Sequence, residues 1–299
     1  MELEFAGDNG LKLGGLVVLS SIILIEALWL IFRRKTAYAW DHAATSLGVN
    51  LVKRLIDGAT AGVSVVLIYW AYSHRLMTIE IDSLLMLLIL ILSVEFAYYW
   101  NHRLSHEIRW MWATHAVHHT SPHMNFSAAI RLGWTNLISG SIFFFLPLAW
   151  IGFNPIQVFV VLALGLFYQL FLHTEVFPRL GWVEYIFNTP SNHRVHHGSN
   201  PEYLDKNHGG ILMIYDVLFG TYQRERDDIE IRYGTVEPME SRNPFVVGLF
   251  EWGRMIRDVR KARSGQEVLG YMFGRPGWVP DESKKETLAA GPALEASTS

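Results

Sequence analysis

The sequence predicts an all-α, integral-membrane helix bundle of about five spans, or four spans plus a re-entrant pair, with a histidine-rich site on one membrane face. Three observations predict it. The chain is too apolar for an average soluble domain. Its apolar runs approach or exceed the ~20 residues a helix needs to cross a bilayer. Its Lys and Arg residues gather between alternate runs. Of 299 residues, 51% are hydrophobic and 18% charged, and the mean hydropathy is +0.19. The net charge of -3 provides no basic field, so no nucleic-acid partner is expected. Cysteine is absent, which excludes disulfides, Cys-ligated zinc, iron–sulfur clusters and thiolate-ligated haem within this chain.

The first run, LGGLVVLSSIILIEALWLIF (residues 13–32), ends at Arg33, Arg34 and Lys35. A cleaved signal peptide carries its charge ahead of the apolar core, so the reversed order reads as a spanning helix. The second run, residues 55–72, follows Lys53 and Arg54, and the third, residues 79–100, contains LLMLLILILSVEFAYYW. The fourth and fifth, about residues 134–151 and 155–172, are joined by the turn-prone GFNP, short enough for a re-entrant pair. Arg103, Arg109 and Arg131 lie between the third and fourth runs, while the opposite side offers little beyond Lys12 and Arg75. The bias puts the N-terminus outside and everything after Leu172 in the cytoplasm. That membrane would be a bacterial inner membrane, or the endoplasmic reticulum in a eukaryote.

Beyond His173 the character changes to glycine, proline, histidine and charge, broken by ILMIYDVLF (residues 211–219), which reads as lying along the interface. PFVVGLFEWGRMIRDVRKAR (residues 244–263) reads as an amphipathic membrane-surface helix. From Asp281 the residues are polar and small, and the segment is expected to be disordered. The chain therefore divides into N-terminal spans (1–80), a histidine-bearing core (81–225), an amphipathic surface region (226–280) and a tail (281–299).

The histidines follow span ends. HRLSH holds His102 and His106, HAVHH holds His115, His118 and His119, HTE holds His173, and HRVHH holds His193, His196 and His197. Helical residues three and four apart share a face, so each motif can aim two or three imidazoles at one point. The charge-derived topology places all of them on one membrane side without using histidine. Clustered neutral imidazoles are costly to desolvate without a partner, and a transition metal suits them best. A structural zinc takes about four ligands; about twice that number here suits two metal ions. Ligand type leaves iron, copper, nickel and zinc open. Oxidation of unactivated C–H bonds in lipid tails is beyond any side chain and belongs to metal–oxygen chemistry, which favours a di-iron oxygenase. The isolated His42, His74 and His123 read as ordinary polar residues.

These motifs resemble the fatty acid hydroxylase/sterol desaturase superfamily of membrane di-iron enzymes, over roughly residues 92–222. The stretch with HTE, NTPS-HRVHHG, DKN-GG and FGT is similar to its alkylglycerol monooxygenase branch and bacterial relatives. The resemblance implies a small transmembrane bundle carrying a cytosolic helical cap, with the metals between them. It implies that His102, His106, His115, His118, His119, His173, His193, His196 and His197 are catalytic ligands of two iron ions. It further implies a membrane lipid and O2 as substrates. No dinucleotide fingerprint or fused haem domain is recognised, so electrons are expected from a separate partner: a reduced pterin, a cytochrome or a ferredoxin. Fatty acid 2-hydroxylases carry a histidine where this chain has Gln169, which argues against that branch. Alkylglycerol monooxygenases carry one where this chain has Asn192, and further spans after the core, so an ether-lipid substrate and tetrahydropterin dependence stay open. His208 stands where relatives carry an aromatic residue and is read as a neighbour of the ligands or a surface residue.

Glu95, inside an apolar run, is expected to face the bundle interior. Glu107, Glu175 and Asp205 are candidates to accept the second N–H of a ligating imidazole. Trp110, Trp112, Trp182 and Tyr185 read as an interfacial belt. The rival reading is a histidine-rich membrane metal transporter or metal-binding protein, which would string its ligands within the spans. A lipid-binding relative that kept the motifs is the non-enzymatic alternative.

Overall fold

The computed structural model describes residues 20–34 and 37–280; the tail expected to be disordered and residues 13–19 of the first apolar run lie outside them. The described residues are helical, with three isolated β-bridges and no strand. Helix α1 covers residues 20–29 and passes into a π-helical turn, Leu30–Arg34. There follow α2 (Trp40–Ser73), α3 (Leu84–Glu107), α4 (Arg109–His115), α5 (Phe126–Ala129), α6 (Asn136–Ser139), α7 (Leu146–Ile151), α8 (Pro155–Leu170), α9 (Pro190–His196), α10 (Ile214–Phe219), α11 (Pro244–Val259) and α12 (Gly265–Phe273).

Helix starts follow local chemistry. Asn154, Thr189 and Asn243 each accept a backbone N–H from the first turn that follows, and each precedes a proline at the first helical position of α8, α9 or α11. The side chain removes an orphan donor and the ring pre-sets φ. Ser83 caps α3 in the same way, accepting from the Met86 N–H at 3.3 Å. The third span therefore begins at Leu84 rather than at residue 79.

Helix α3 has 24 residues and is the one described helix long and apolar enough to cross a membrane. At ~1.5 Å per residue it is about 36 Å long, against ~30 Å of hydrocarbon. Two of the expected runs differ from full spans. The run from residue 134 breaks into α6, a 3-10 turn (Ser141–Phe144) and α7, with Gly140 at φ 85° between the first two. Helix α8, with 16 residues, reaches only about 24 Å. Helix α2 instead extends through Lys53 and Arg54, so the basic segment expected as a loop is half helical. Lys53 pairs with Asp57 one turn later, and Arg54 donates to Asn50.

The main core joins Ile68 and Ala71 of α2, Leu90, Val94 and Ala97 of α3, Leu148 and Ala149 of α7 and Val158 of α8. A second core joins Val49, Val117, Trp134 and Val247, seating α11 on α2. Gly248 makes that seat possible, because a Cβ there would stand 2.6 Å from the Trp134 ring. Buried Arg109 ties α11 to α4 as well, donating from Nε to Glu251 at 3.0 Å and from Nη2 to Asp258 at 2.8 Å. The outer surfaces stay apolar: Phe32 is 73% exposed, Leu84 72% and Leu164 61%. A band of this kind suits a lipid surrounding rather than water.

Candidate metal centre

All nine histidines singled out in the sequence meet in one interior site. The end of α3 contributes His102 and His106, and α4 with the 3-10 turn after it contributes His115, His118 and His119. His173 follows α8, and α9 with its C-cap contributes His193, His196 and His197. They form two groups. His102, His106, His115, His119 and His196 make one, and His118, His173, His193 and His197 the other, with ligand atoms within 4.8 Å of one another in each. The groups abut, since the rings of His119 and His197 stack with centroids 4.4 Å apart.

Neither triple-histidine motif points at one place. His115 and His119 go to the five-histidine group while His118 crosses to the other; His193 and His197 go to the four-histidine group while His196 crosses back. In both motifs the i,i+4 pair stays together and the residue between diverges. On a helix, four residues return to within about 40° of the same direction, whereas adjacent residues diverge by about 100°. Each motif thus binds the two groups to each other.

The imidazoles suit cations. His173 Nδ1–H donates to the Gln169 carbonyl at 2.8 Å and His118 Nδ1–H to the Arg131 carbonyl at 3.2 Å. A carbonyl accepts only, so both rings carry their proton on Nδ1 and present a bare Nε2 lone pair. Those two Nε2 atoms face each other at 3.1 Å. Two lone pairs repel at that distance unless a positive ion sits among them. In the other group His102 Nδ1–H donates to the His208 carbonyl at 2.8 Å and His196 Nδ1–H to the Lys206 carbonyl at 3.0 Å. The buried Nε2 atoms of His106 and His196 have no protein partner. Burial first, and neighbouring imidazoles second, hold His115, His118, His119, His193, His196 and His197 well below the usual histidine range. Burial lowers His173 to about 4 against its backbone hydrogen bond. Neutral imidazole is the ligating form.

Other expected residues are distributed unevenly. Glu95 is buried and accepts the N–H groups of Ile211 and Leu212 at 2.7 and 2.9 Å, facing inward as expected. Gln169 accepts from Tyr98 Oη at 2.6 Å beside the site, whereas Asn192 turns away to the carbonyls of Glu184 and Phe187. Asp205 lies 3.7 Å from His106 Nδ1. Glu107 instead pairs with Arg103, and Glu175 is exposed, so neither supports a ligating ring among the described residues. Trp112 belongs to the site rather than to a belt, its ring 5.1 Å from that of His106. Trp182 and Tyr185 are exposed. His208 is fully buried, and a surface position is excluded. His42 and His123 pack edge to face, and His74 bonds Ser73 and Trp70, all outside the two groups.

A cavity of about 340 Å³ touches both groups, through His102 and His115 on one side and His118, His173 and His193 on the other. Asn50, Lys53, Asn101 and Ser105 give its wall polar character, and Ile130, Leu132, Leu166 and Leu170 give it apolar character. A second cavity of about 300 Å³ reaches His106, His119 and His196 past Trp112, Asp205 and Arg275. Sequence spacing missed the polar wall residues, because they carry no motif and are gathered by packing.

Comparison with known proteins agrees with this geometry. Residues 87–221 match the family model described as fatty acid hydroxylase. An alkylglycerol monooxygenase of Xenopus tropicalis is 34% identical over 266 residues, covering 86% of this chain and 58% of that protein. The human alkylglycerol monooxygenase is 34% identical over 268 residues, 88% of this chain and 59% of its own. An ornithine lipid hydroxylase of Rhizobium tropici is 33% identical over 129 residues, 43% of this chain and 39% of its own. The chain thus spans under two thirds of the length of these relatives. No solved structure matches it. All nine histidines of the two groups lie inside the matched segment, so residues 87–221 carry a fatty acid hydroxylase domain, and the similarity to alkylglycerol monooxygenases runs over most of the chain.

Proposed function

We propose that this chain is a membrane-bound, O2-dependent lipid monooxygenase whose nine histidines hold two iron ions. One observation carries the reading: both histidine groups share the wall of one cavity that is polar on part of its lining and apolar on the rest. Such a wall fits an amphiphile whose reacting carbon lies near its polar headgroup. The relatives named for alkylglycerol and for ornithine lipid support that substrate class. Hydroxylation is the expected outcome, with desaturation arising if a second hydrogen is lost instead.

The ions, when bound, supply the O2 chemistry that an unactivated C–H bond requires, with electrons from an external donor. The residues of the chain do the rest. Nine neutral imidazoles bind the ions, and backbone carbonyls fix the tautomers of His102, His118, His173 and His196. Burial of the ligands keeps water from the reacting carbon. The Tyr98–Gln169 hydrogen bond braces the cavity wall beside His102 and His173. Helix α3 and the exposed apolar band embed the protein as a multi-pass chain, with the histidine site on the cytoplasmic side that the charge bias selects.

The test is direct. The full chain in lipid nanodiscs should hold about two iron ions and, with isotopically labelled O2 and a reductant, should place one labelled oxygen in an alkylglycerol or aminolipid. A folded preparation that turns over without metal, or that binds none when iron is supplied, would defeat the proposal.

A further inference from the structure

We infer that the loop Asp205–Gly210 is an orienting collar for the five-histidine group alone, and that Asp216 is the positioning residue that clasps it shut. The inference rests on the two-metal reading above. The loop supplies hydrogen-bond acceptors to two of the five rings and a carboxylate near a third. The His208 carbonyl takes the His102 Nδ1–H at 2.8 Å, the Lys206 carbonyl takes the His196 Nδ1–H at 3.0 Å, and Asp205 Oδ1 lies 3.7 Å from His106 Nδ1. The His208 ring fills the space behind those rings, with centroids 5.7 Å from His102, 5.1 Å from His106 and 5.8 Å from His196. The four-histidine group takes its carbonyls elsewhere, from Gln169 and Arg131.

A loop of this shape needs restraint, because Asp205 and Asn207 sit at φ 55° and 58°, in the left-handed region. Asp216 supplies the restraint from a fully buried position on α10. Its Oδ1 accepts the His208 N–H and the Thr221 hydroxyl, and its Oδ2 accepts the Gly209 N–H, all at 2.7 Å. The carboxylate therefore grips the peptide unit that carries the His208 carbonyl orienting His102, and the unit before it. Gly209 is required for that approach: a Cβ would stand 2.3 Å from the Leu212 carbonyl oxygen and 3.0 Å from Asp216 Oδ2. The Asp-Lys-Asn-His-Gly-Gly run and the aspartate six residues after it thus form one device. Removing the clasp leaves the rings present but free to turn, and outer-sphere partners of this kind are worth about 10- to 100-fold in metal affinity.

The experiment compares the full chain with Asp216→Ala and Gly209→Ala in nanodiscs, titrating bound Co2+ and Fe2+ against a chelator while monitoring helicity by circular dichroism. The unmutated chain should hold two ions; if it binds none, the two-metal reading fails, and this inference with it. Both variants should keep their helicity and one ion at unchanged affinity, and lose the other about 10- to 100-fold more readily. The ligand-field bands of Co2+ should change for the weakened ion only. Two ions held as tightly as before would overturn the inference. So would joint loss of both ions from a folded variant, because the collar would then not be selective. If Asp216→Ala fails to fold, Gly209→Ala is read by the same criteria. Loss of fold in both overturns the inference, making the loop a folding element.

Discussion

The two histidine groups are neighbours built on different principles. In the four-histidine group, His173 is oriented by the carbonyl four residues before it and His118 by one thirteen residues after it. In the five-histidine group, His196 is oriented by a carbonyl ten residues later, but His102 by one 106 residues later in the chain, both from the same loop. One group is braced largely by its own local backbone, the other by a distant loop that must itself be held in an unfavourable backbone conformation. Equal ligands therefore need not be equally robust. The locally braced ion should tolerate perturbation of the cap, and the remotely braced ion should report it.

The sharpest way to break this comparison is to remove a ligand from each group. His173→Ala and His102→Ala should each abolish lipid oxidation, losing more than the about 100-fold that removal of an outer-sphere partner costs, since truncating one ligand disturbs geometry as well as affinity. Metal analysis should show each losing mainly the ion of its own group; loss of both from either would make the groups one unit. His196→Ala and His118→Ala extend the test to the crossing residues. Each should empty the group it crosses to rather than the group of its motif.

A smaller effect is expected at Glu95. Its carboxylate anchors Ile211 and Leu212, immediately after the collar loop. Glu95→Ala should lower oxidation about 10-fold and weaken the five-histidine ion first, because two buried N–H groups lose their acceptor. Chelator titration with product analysis on the same samples checks the order; earlier loss of the four-histidine ion would contradict it. Asp205→Asn should cost less, about 3-fold in affinity of the same ion, because the contact with His106 is long and the aspartate side chain is 42% exposed. The smallest effect belongs to His42→Ala. Its ring packs on His123 away from both groups, so oxidation should stay within about 2-fold and metal content unchanged; a metal-depleted His42→Ala protein would break the assignment.

Much of the site was legible in the sequence because its signals are local. The histidines four residues apart in His-x-x-His-His and His-x-x-x-His need only a helical turn to share a face, and the Asn-Pro and Thr-Pro pairs mark where α8, α9 and α11 begin. Glu95 was legible because a carboxylate in an apolar run must find donors inside the bundle. The span boundaries were less legible. Hydropathy registers an apolar run whether it is one helix or three short pieces, and the break at Gly140 depends on how the pieces pack against α2 and α3.

The amino-acid pattern alone pairs the imidazoles four residues apart within a motif, since helical periodicity is a property of consecutive residues and needs no partner, whereas the meeting of all four motifs is a matter of packing. Only the tertiary structure decided how they divide. Adjacent residues such as His118 and His119 diverge on a helical turn, and which of them meets which neighbour depends on where α3, α4 and α9 lie relative to one another. The same holds for the burial of His208 against His102 and His106, a contact between segments distant in the chain whose separation no local pattern specifies.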